Sequence, residues 1–570
     1  MEQKKLNKIE KLKRQLKPVE FYEKLTELDP THLDESDRFY LKNFGIFNHK
    51  LAPETFTLRI RVPAGRIGVE SFERIYRMAR SADAKMIVTS RAQLELHGLD
   101  YHSALEAARK IEDFGMTAWQ TFTDNFRNIV TDPLDGIAED AVMEVYGLVL
   151  AMQESFLKKP EYVGMIPRKF NTAISGRLSQ SLSFFGNDLY FALAKKDGVY
   201  GFNLYAGGKN SHTACPLDIF VTPAETVALF RTVAKIYKEE GPRESRSRAR
   251  LFHMIESIGI ETLRLKIAER YRGLLEGAGE SLMKKGRQER RVRLKNGLYA
   301  HRYTTRFGET DAPQVEEILH ICDRYGVDTV RIGCDQNFYI PDLPPDVPFD
   351  HSAPRYEGIL ACAGSRYCVY SLMDTKESSA SLALERCRRL GISLGFSGCL
   401  KGCARHAFCD IGLVGIRTKL FADEVERGVR LYLGALYSGG ERAGRLILYS
   451  VPMRALNAMI DLIAGLFEKS GYSDFEDFSK EVLDTYSEPA LAFWLLLNYY
   501  RANVAKSGEL LLLDKCGHED EKGCFIEKLQ RSGSESDRQI VEYLQCQEAF
   551  PFREAIIHLE RECFRVKSQP

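Results

Sequence analysis

The chain has 570 residues, 44% of them hydrophobic and 28% charged, a composition typical of a soluble protein with about two to four globular domains. Its 80 basic and 79 acidic residues give a net charge of +1, which excludes a protein coated in positive charge for nucleic acid. The basic start, residues 1–18, has no apolar core, and the longest apolar run, residues 490–497, is too short to cross a bilayer. We therefore expect a cytoplasmic protein with neither a membrane nor a nucleic-acid partner.

The first predicted elements are a strand, a helix and a strand. Residues 56–62, FTLRIRV, alternate apolar and polar side chains, as a half-buried strand does. Residues 70–84 carry apolar side chains at helical spacing, and residues 86–96 return to a strand pattern. The same order recurs later in the sequence, at residues 297–307, 313–326 and 329–340. This recurrence indicates a duplication with approximate two-fold symmetry, in which Gln93 aligns with Gln336 and Arg91 with Cys334.

Between the two halves lies a basic segment, MKKGRQERRVRLKNG at residues 283–297. It is read either as a solvated linker or as a docking patch for an acidic partner. Beyond residue 470 the apolar spacing predicts helices, to which the sequence assigns no role.

Two cysteine pairs stand out among the 13 cysteines. Cys362 and Cys368 are separated by five residues, and Cys399 and Cys403 by three. Four thiolates suit tetrahedral zinc or a cubane iron–sulfur cluster, and zinc pairs are usually separated by two residues. Gly398 would let a backbone N–H approach a cluster sulfur, as would Gly402. The alternatives that remain are a structural zinc site and thiols that are merely buried, such as those of two further cysteines, Cys387 and Cys409.

With these cysteines the sequence resembles the sirohaem-dependent nitrite and sulfite reductases. ACAGSRYCVYSLMDTK and SGCLKGCARHAFCDIGLVG resemble the family's cysteine motifs. Other matching motifs follow in the family's order over roughly residues 50–420: LRIRVPAG, TSRAQLELHG, DNFRN, IPRKFN, GFNLYAGGK, IGIETLRLKIAER and DQNFYI. The resemblance implies an α+β (mixed α/β) fold, with two ferredoxin-like half-domains related by a pseudo-two-fold axis and a helical C-terminal extension.

The resemblance also implies the domain boundaries and the cofactors. We expect an N-terminal helical segment (residues 1–50), the first half-domain (51–118), a sirohaem and substrate domain (119–280) and a linker with the second half-domain (281–350). A [4Fe–4S]/sirohaem domain (351–470) and the helical extension (471–570) follow. By similarity the cluster is held by Cys362, Cys368, Cys399 and Cys403. Cys403 would also bridge a cluster iron to the sirohaem iron.

The same resemblance implies a ring of side chains for an oxyanion substrate. Its members are Arg59, Arg127, Lys169 and Asn171. Arginine supplies permanently charged donors, and lysine can donate a proton and recover it. Arg91 matches an arginine that pairs with sirohaem carboxylates. Weaker candidates for hydrogen bonds to the cofactor are Thr89, Gln120, Gln336 and Asn337.

Substrate choice is predicted from charge. Sulfite is a dianion when fully ionised and nitrite a monoanion, and the sulfite-reducing relatives carry a second lysine where this chain has Asn171. We therefore expect six-electron reduction of nitrite to ammonia by a monomeric enzyme, with ferredoxin docking at the basic N-terminus or at residues 283–295. Two departures keep sulfite as the alternative: Leu400-Lys401 stands where the family has Pro-Asn, and Ile87 where the sulfite branch has arginine. A non-catalytic metalloprotein or an anion sensor is the further alternative.

Overall fold

The protein is described from a computed structural model, which covers residues 6–286, 288–506, 509–513, 521–532, 535–545 and 552–565. The chain forms two compact units: unit 1 is Met1–Tyr356 with Ser438–Gly440, and unit 2 is Glu357–Tyr437 with Glu441–Pro570. No helix in the described ranges is both long enough and apolar enough to cross a membrane.

In the residues that the structure describes, unit 1 mixes helices with four sheets. Its helices are α1 (Lys8–Gln15), α2 (Glu35–Leu41), α3 (Val69–Ser81), α4 (Tyr101–Lys110), α5 (Tyr146–Glu154), α6 (Pro223–Glu240), α7 (Leu251–Ile258), α8 (Ile260–Arg270) and α9 (Ala312–Tyr325). Its strands are β1 (Ile46–His49), β2 (Ala52–Ile60), β3 (Arg66–Gly68), β4 (Lys85–Val88), β5 (Leu94–Leu99), β6 (Thr172–Ile174), β7 (Ser179–Gln180), β8 (Leu189–Lys196), β9 (Val199–Ala206), β10 (Cys215–Val221), β11 (Glu280–Ser281), β12 (Lys284–Lys285), β13 (Arg291–Arg293), β14 (Tyr299–Tyr303), β15 (Thr329–Ile332) and β16 (Phe338–Leu343). The sheet orders are β1-β2-β5-β4, β13-β14-β16-β15-β3, β10-β9-β8-β11 with β6 beside β8, and β12-β7.

The first two of these sheets are the predicted duplicated halves. In each half a strand leads into a helix and then into an antiparallel pair: β2, α3, β4 and β5 in the first, and β14, α9, β15 and β16 in the second. The helices take their places because one face of each is apolar, as Phe72 and Ile75 of α3 show by being fully buried. The ring centroids of Phe72 and Phe338 lie 5.3 Å apart, so the two halves share one hydrophobic core.

The halves also exchange segments reciprocally. The segment after β2 crosses over as β3 and pairs with β15, and the segment after β14 returns to the first half, where Gly308 O accepts a 2.7 Å hydrogen bond from Val88 N. Gly65 and Gly308 make the two crossings, both at positive φ, 72° and 85°. This exchange confirms the pseudo-two-fold duplication.

Two predicted single strands prove to be hairpins, and the predicted alignment of the halves is wrong by one residue. Residues 86–96 form β4 and β5 around a tight turn in which Thr89 N donates to Gln93 O at 2.9 Å. The equivalent bond in the second half, also 2.9 Å, runs from Gly333 N to Asn337 O. Gln93 therefore corresponds to Asn337, not to Gln336. Apolar residues on both sides of each turn hid it from the sequence pattern.

The third sheet of unit 1 is covered by α5, α6 and α8. Its core is made of apolar side chains from the sheet and these helices, with Phe191, Leu204 and Val233 each fully buried. Two loop segments of unit 1 pair with each other beside this core: Arg127 N donates to Phe170 O at 2.8 Å, and Phe170 N donates to Asn125 O at 3.0 Å. This pairing brings the DNFRN and IPRKFN motifs together.

Unit 2 contains a five-stranded sheet followed by helices. The strands are β17 (Ile359–Ala361), β18 (Leu394–Ser397), β19 (Ile411–Thr418), β20 (Glu426–Leu433) and β21 (Arg445–Pro452), in that order across the sheet. The helices are α10 (Gly364–Tyr367), α11 (Thr375–Ala380), α12 (Glu385–Arg389), α13 (Met453–Ser470), α14 (Phe475–Glu481), α15 (Glu488–Asn503), α16 (Glu521–Ser532), α17 (Glu535–Gln545) and α18 (Phe552–Phe564). The cysteine motifs lie after β17 and after β18, which pair in parallel. The C-terminal region is helical, as predicted.

Candidate anion site and cysteine cluster

Arg59 lies on β2, directly opposite Glu95 of β5. Its Nε donates to Glu95 Oε1, its Nη1 donates to Thr121 O at 3.2 Å, and its guanidinium carbon lies 3.8 Å from the centroid of the Phe122 ring. Leu58 and Ile60 on the other face are fully buried in the core. Because side chains alternate along the strand, Arg59 points away from the core. On that face the ion pair with Glu95 and the stacking on Phe122 fix the guanidinium group.

Arg127 is held between the paired motif segments. Its Nη1 donates to Thr121 O at 2.5 Å and its Nη2 to Thr123 O at 2.8 Å, whereas its buried Nε has no hydrogen-bond partner among the described residues. Burial lowers the pKa of Arg127 well below its usual range, and the nearby charges of Arg59, Arg168 and Arg91 lower it further. Clustered cations of this kind repel one another, and a nearby negative charge would relieve that repulsion.

Lys169 and Asn171 flank Phe170, whose backbone bonds to the Arg127 segment. Lys169 is half-buried. Asn171 is 4% exposed, its N–H donates to Asp188 Oδ2 at 2.8 Å, and its buried Oδ1 accepts no hydrogen bond from the described residues. The structure thus places Arg127 next to the Lys169–Asn171 segment.

Arg91 joins the same region of unit 1. Its Nη1 donates to Asn187 Oδ1 at 2.9 Å and its Nη2 to Asn128 O at 2.6 Å. Asn128 fixes this turn in return, because its Nδ2 donates to Val62 O at 2.6 Å and to Arg91 O at 3.1 Å. The motifs LRIRVPAG, TSRAQLELHG and DNFRN are therefore tied together by one buried asparagine.

The weaker cofactor candidates are engaged in holding turns. Thr89 Oγ1 accepts from Arg91 N and Gln93 N at 3.3 and 3.2 Å. Gln120 donates to Phe156 O at 3.3 Å and accepts from Lys158 N at 2.7 Å.

The two candidates of the second half lie in its own turn. Gln336 Nε2 donates to Val88 O at 3.4 Å. Asn337 Oδ1 accepts from Thr305 N at 2.9 Å, and its Nδ2 donates to Asp335 Oδ2 at 2.8 Å. Their roles toward a cofactor stay predictions.

Two residues of this region were missed by sequence reasoning, Arg61 and Glu95. Arg61 is 1% exposed; its Nη2 donates to Gln120 O and Phe126 O at 3.0 and 2.9 Å, and its buried Nη1 has no partner among the described residues. Burial, helped by the charge of Arg91, lowers the pKa of Arg61 to about 9. The sequence pattern could have identified Arg61, because it lies two residues after Arg59 in LRIRV and therefore on the same face of the strand.

A buried cluster of ion pairs connects the DNFRN and IPRKFN segments. Asp124 of DNFRN is fully buried and pairs with Arg168 of IPRKFN at 3.1 Å, with Arg246 at 2.7 Å and with Lys13 of α1 at 3.0 Å. Burial alone would raise the pKa of Asp124, but the charges of Lys13, Arg246 and Arg168 outweigh it and hold that pKa well below its usual range. The N-terminal helix is thus part of the scaffold of the site.

In unit 2, Cys368 lies close enough to Cys362 and Cys399 for their thiols to affect its pKa. Burial raises the pKa of the Cys368 thiol, the neighbouring thiols of Cys362 and Cys399 raise it further, and the charge of Lys401 opposes them. Cys362 Sγ accepts hydrogen bonds from Gly364 N at 3.4 Å and from Gly398 N at 3.2 Å. Backbone N–H groups aimed at a sulfur are the environment that a cluster thiolate needs.

The loop between Cys399 and Cys403 is shaped by its glycine. Gly402 has a φ of 67° and donates its N–H to Cys399 O at 3.3 Å, so its N–H bonds to a carbonyl rather than to a sulfur. The ammonium of Lys401 lies 3.1 Å from the centroid of the Tyr370 ring. Cys403 is exposed. The Leu400-Lys401 departure therefore places a cation beside the cysteine motif.

Two kinds of centre are expected for this donor set, a single zinc ion and a cubane iron–sulfur cluster. Within the described ranges no group of three or more Cys, His, Asp or Glu side chains is arranged to hold a metal ion. Tetrahedral zinc would bring its thiolates to about 4 Å from each other, whereas each thiolate of a cubane binds a different iron and lies further from the rest. The backbone N–H groups of Gly364 and Gly398, which are directed at Cys362 Sγ, are the feature of these residues that fits a cluster ligand.

Family models match three segments of the chain. The ferredoxin-like half domain of nitrite and sulfite reductases matches residues 49–114 and 292–347. The 4Fe-4S domain of nitrite and sulphite reductases matches residues 122–273, a segment that contains Cys215 and none of the four predicted ligands.

Curated relatives match most of the chain at modest identity. The ferredoxin–nitrite reductase of Synechococcus elongatus is 29% identical over 465 residues, covering 75% of this chain and 90% of that protein. The chloroplastic ferredoxin–nitrite reductase of Spinacia oleracea is 24% identical, covering 79% of this chain and 84% of that protein. The assimilatory ferredoxin-dependent nitrite reductase of Haloferax mediterranei is 25% identical, covering 69% of this chain and 76% of that protein.

A solved structure matches the fold. The Mycobacterium tuberculosis NirA protein superposes with a TM-score of 0.76 at 22% identity, covering 85% of this chain and 97% of that chain. At this identity the likeness concerns the fold alone. The matched segments, the curated relatives and this fold agree that the nitrite and sulfite reductases are the proteins that this chain resembles.

Proposed function

We propose that this protein is a nitrite reductase that takes electrons from ferredoxin and reduces nitrite to ammonia. The observation that carries the proposal is the cation cluster around Arg127, with its unpartnered buried N–H, in a chain whose relatives bear the name ferredoxin–nitrite reductase. Six electrons and eight protons convert nitrite into ammonium and two waters, so the site must hold an anion and supply protons.

Sirohaem and a [4Fe–4S] cluster are the proposed cofactors. Sirohaem is rich in carboxylates, and the buried N–H groups of Arg61 and Arg127 suit that charge. When bound, the two groups would supply an iron coordination position for the anion and single electrons to reduce it. Arg91 would bind the macrocycle, with weaker contributions proposed for Thr89, Gln120, Gln336 and Asn337.

The cysteines of unit 2 would hold the cluster. Gly364 N and Gly398 N donate to Cys362 Sγ, and the thiols of Cys362 and Cys399 add to the burial that raises the pKa of Cys368. Cys403 would complete the set and would also be the thiolate shared with the sirohaem iron.

Four side chains of unit 1 would act on the substrate. Arg59 and Arg127 would bind the oxyanion, because a guanidinium group presents several N–H donors in a fixed planar arrangement. Lys169 would donate protons to the departing oxygens, because its ammonium can be reprotonated from solvent. Asn171 would accept or donate a hydrogen bond without adding charge.

Nitrite is favoured over sulfite by the charge at these positions. Asn171 is neutral where the sulfite-reducing relatives carry lysine. The loss of one positive charge weakens the binding of a dianion more than the binding of a monoanion. Sulfite remains the alternative because the cations near Arg127 would suit either anion.

Ferredoxin is an acidic protein and would dock on a basic surface. Both predicted surfaces have exposed basic side chains: Lys284, Arg291 and Arg293 within residues 283–295, and Lys11, Arg14 and Lys17 in the N-terminal segment, where Lys13 is 3% exposed and ion-paired. A rate with ferredoxin that falls steeply with salt, while the rate with a small dye does not, is expected. The cytoplasm remains the predicted location.

The proposal is tested with anaerobically purified, coloured protein and reduced viologen as donor. Nitrite and sulfite are supplied in parallel, and kcat/KM is measured for each. A kcat/KM for nitrite at least tenfold higher supports the proposal; a preference for sulfite would replace it with the alternative. Turnover of neither anion by protein whose spectrum contains sirohaem would favour an anion sensor.

A further inference from the structure

Glu95 is a buried carboxylate at the predicted anion site. It is 5% exposed and lies opposite Arg59 in the β2–β5 register, while His97 lies opposite Thr57 two residues along. Because side chains alternate along a strand, these two cross-strand pairs share one face of the sheet.

The four side chains form a continuous chain of contacts. Glu95 Oε1 accepts from Arg59 Nε, Glu95 Oε2 lies 2.8 Å from His97 Nε2, and His97 Nδ1 lies 3.1 Å from Thr57 Oγ1. Burial by itself raises the pKa of Glu95, but the charges and hydrogen bonds of Arg59 and His97 outweigh it and lower that pKa to about 2. Glu95 is therefore ionised at neutral pH.

The consequence for Arg59 differs from that for Arg127. Both guanidinium groups are candidates for binding the anion, but Arg127 donates its hydrogen bonds to the carbonyl oxygens of Thr121 and Thr123. Arg59 instead has its own carboxylate, which cancels most of its charge at any distance beyond the pair. Arg59 thus keeps its geometry as a donor while contributing little net positive charge.

We propose that Glu95 is a positioning residue that sets anion selectivity: by neutralising Arg59 it lowers the net charge of the site and favours a monoanion over a dianion. This inference rests on the proposed function and adds to the effect of Asn171. Removing the negative charge of Glu95 strengthens the attraction for every anion, and twice as strongly for a dianion as for a monoanion. The selectivity shift is therefore separable from a general loss of activity.

The decisive variant is Glu95→Gln, which keeps a hydrogen-bond acceptor for Arg59 Nε and removes the charge. With reduced viologen at pH 8, where sulfite is largely a dianion, the ratio of kcat/KM for sulfite to that for nitrite should rise about 10- to 100-fold. The dissociation constants of the two anions, from absorbance changes of the oxidised holoenzyme, should shift in the same sense. Glu95→Asp keeps the charge and should leave the ratio within threefold of wild type.

A second pair of variants tests the charge arithmetic without depending on Glu95→Gln alone. Arg59→Gln leaves the Glu95 carboxylate uncompensated and should lower the ratio at least tenfold. The double variant Arg59→Gln with Glu95→Gln should return the ratio to within threefold of wild type, because the pair is removed as a neutral unit.

The outcomes distinguish the inference from the proposed function. A wild-type enzyme that reduces nitrite, with an unchanged ratio in Glu95→Gln or no restoration in the double variant, overturns the role of Glu95 alone. A wild-type protein that reduces neither anion overturns the proposed function, whatever the variants bind.

Discussion

Gly65 and Gly308 occupy equivalent positions in the two halves of unit 1. A Cβ on Gly65 would lie 2.1 Å from the carbonyl oxygen of Ile332, and a Cβ on Gly308 would lie 2.2 Å from that of Val88. Ile332 and Val88 are themselves equivalent, because each ends the strand before its tight turn. The reciprocal crossing is thus possible only where the chain has no side chain.

Alanine at either crossing should strongly destabilise the protein. Gly65→Ala and Gly308→Ala force a backbone oxygen to move in addition to straining a positive φ, and we expect a loss of about 3 kcal/mol or more. Gly98→Ala is the matched control, since Gly98 has a φ of 91° and no atom within 4 Å of its Cβ position. It should cost only about 1 kcal/mol. Urea unfolding measures all three, and equal losses would contradict the argument.

Lys13→Met should destabilise unit 1 by about 2 to 4 kcal/mol. It removes a buried ammonium that lies 3.0 Å from Asp124, 2.6 Å from Glu10 and 2.8 Å from Ile166 O, leaving buried carboxylates with fewer partners. Lys17→Met is the control, because that side chain is 62% exposed and its ion pair with Glu20 is 4.0 Å long. Its effect should stay within about 0.5 kcal/mol. Equal denaturation midpoints for the two variants would show that α1 is not an anchor.

Cysteine variants should separate cluster ligands from buried thiols. Cys399→Ser should lose most of the acid-labile sulfide and the associated visible absorbance. Cys387→Ser and Cys409→Ser should retain both, since burial raises the pKa of each thiol to about 12 and keeps it protonated. Iron and sulfide analysis of anaerobically purified protein is the measurement. Loss of sulfide in Cys409→Ser with retention in Cys399→Ser would require a different ligand set.

Asp135 should make the protein less stable as the pH rises. Burial raises its pKa from 3.8 to about 7, and the hydrogen bond from Val145 N only partly offsets this. The unfolded chain releases the proton at lower pH than the folded chain, so stability falls between about pH 4 and 7. The free energy of unfolding of Asp135→Asn should therefore rise relative to that of wild type over this pH range. Above pH 7 the difference should reach at most about 4 kcal/mol.

Asp140→Asn is the control, because the pH dependence of stability expected for it has the opposite sign. Hydrogen bonds and charge from Arg177, together with hydrogen bonds from Ser179, outweigh burial and lower the pKa of Asp140. Its stabilisation is present at neutral pH and is lost as the pH falls through the folded pKa. Urea midpoints of wild type and Asp135→Asn should thus diverge as the pH rises from about 4 to 7, and those of wild type and Asp140→Asn should converge only below about pH 4, so the series extends down to about pH 2.5. Parallel curves would contradict both assignments.

The sequence predicted the duplicated halves because strand and helix periods are local properties of the chain. It missed the turns at 89–93 and 333–337, since the residues that reverse direction there, Ala92 and Gln336, carry no turn signal of their own. The motif residues Arg59, Arg127, Lys169 and Asn171 could be named from the family pattern. Glu95 could not, because its effect depends on a cross-strand pairing that a linear motif does not contain.

The N-terminal helix has a consequence for how the chain acquires its fold during synthesis. Lys13 donates to a carbonyl 153 residues later, and Asn7 Nδ2 donates to Arg243 O, 236 residues later. At about 5 to 20 residues per second, the last of these partners emerges roughly 10 to 50 s after the helix itself. Throughout that interval Lys13 and Glu10 of α1 have each other as partners, 2.6 Å apart in the folded protein, but lack Arg243, which pairs with Glu10. Helix α1 can therefore complete its contacts only after Arg243 has been translated, and the buried charges around Asp124 are completed only after both motif segments have been translated.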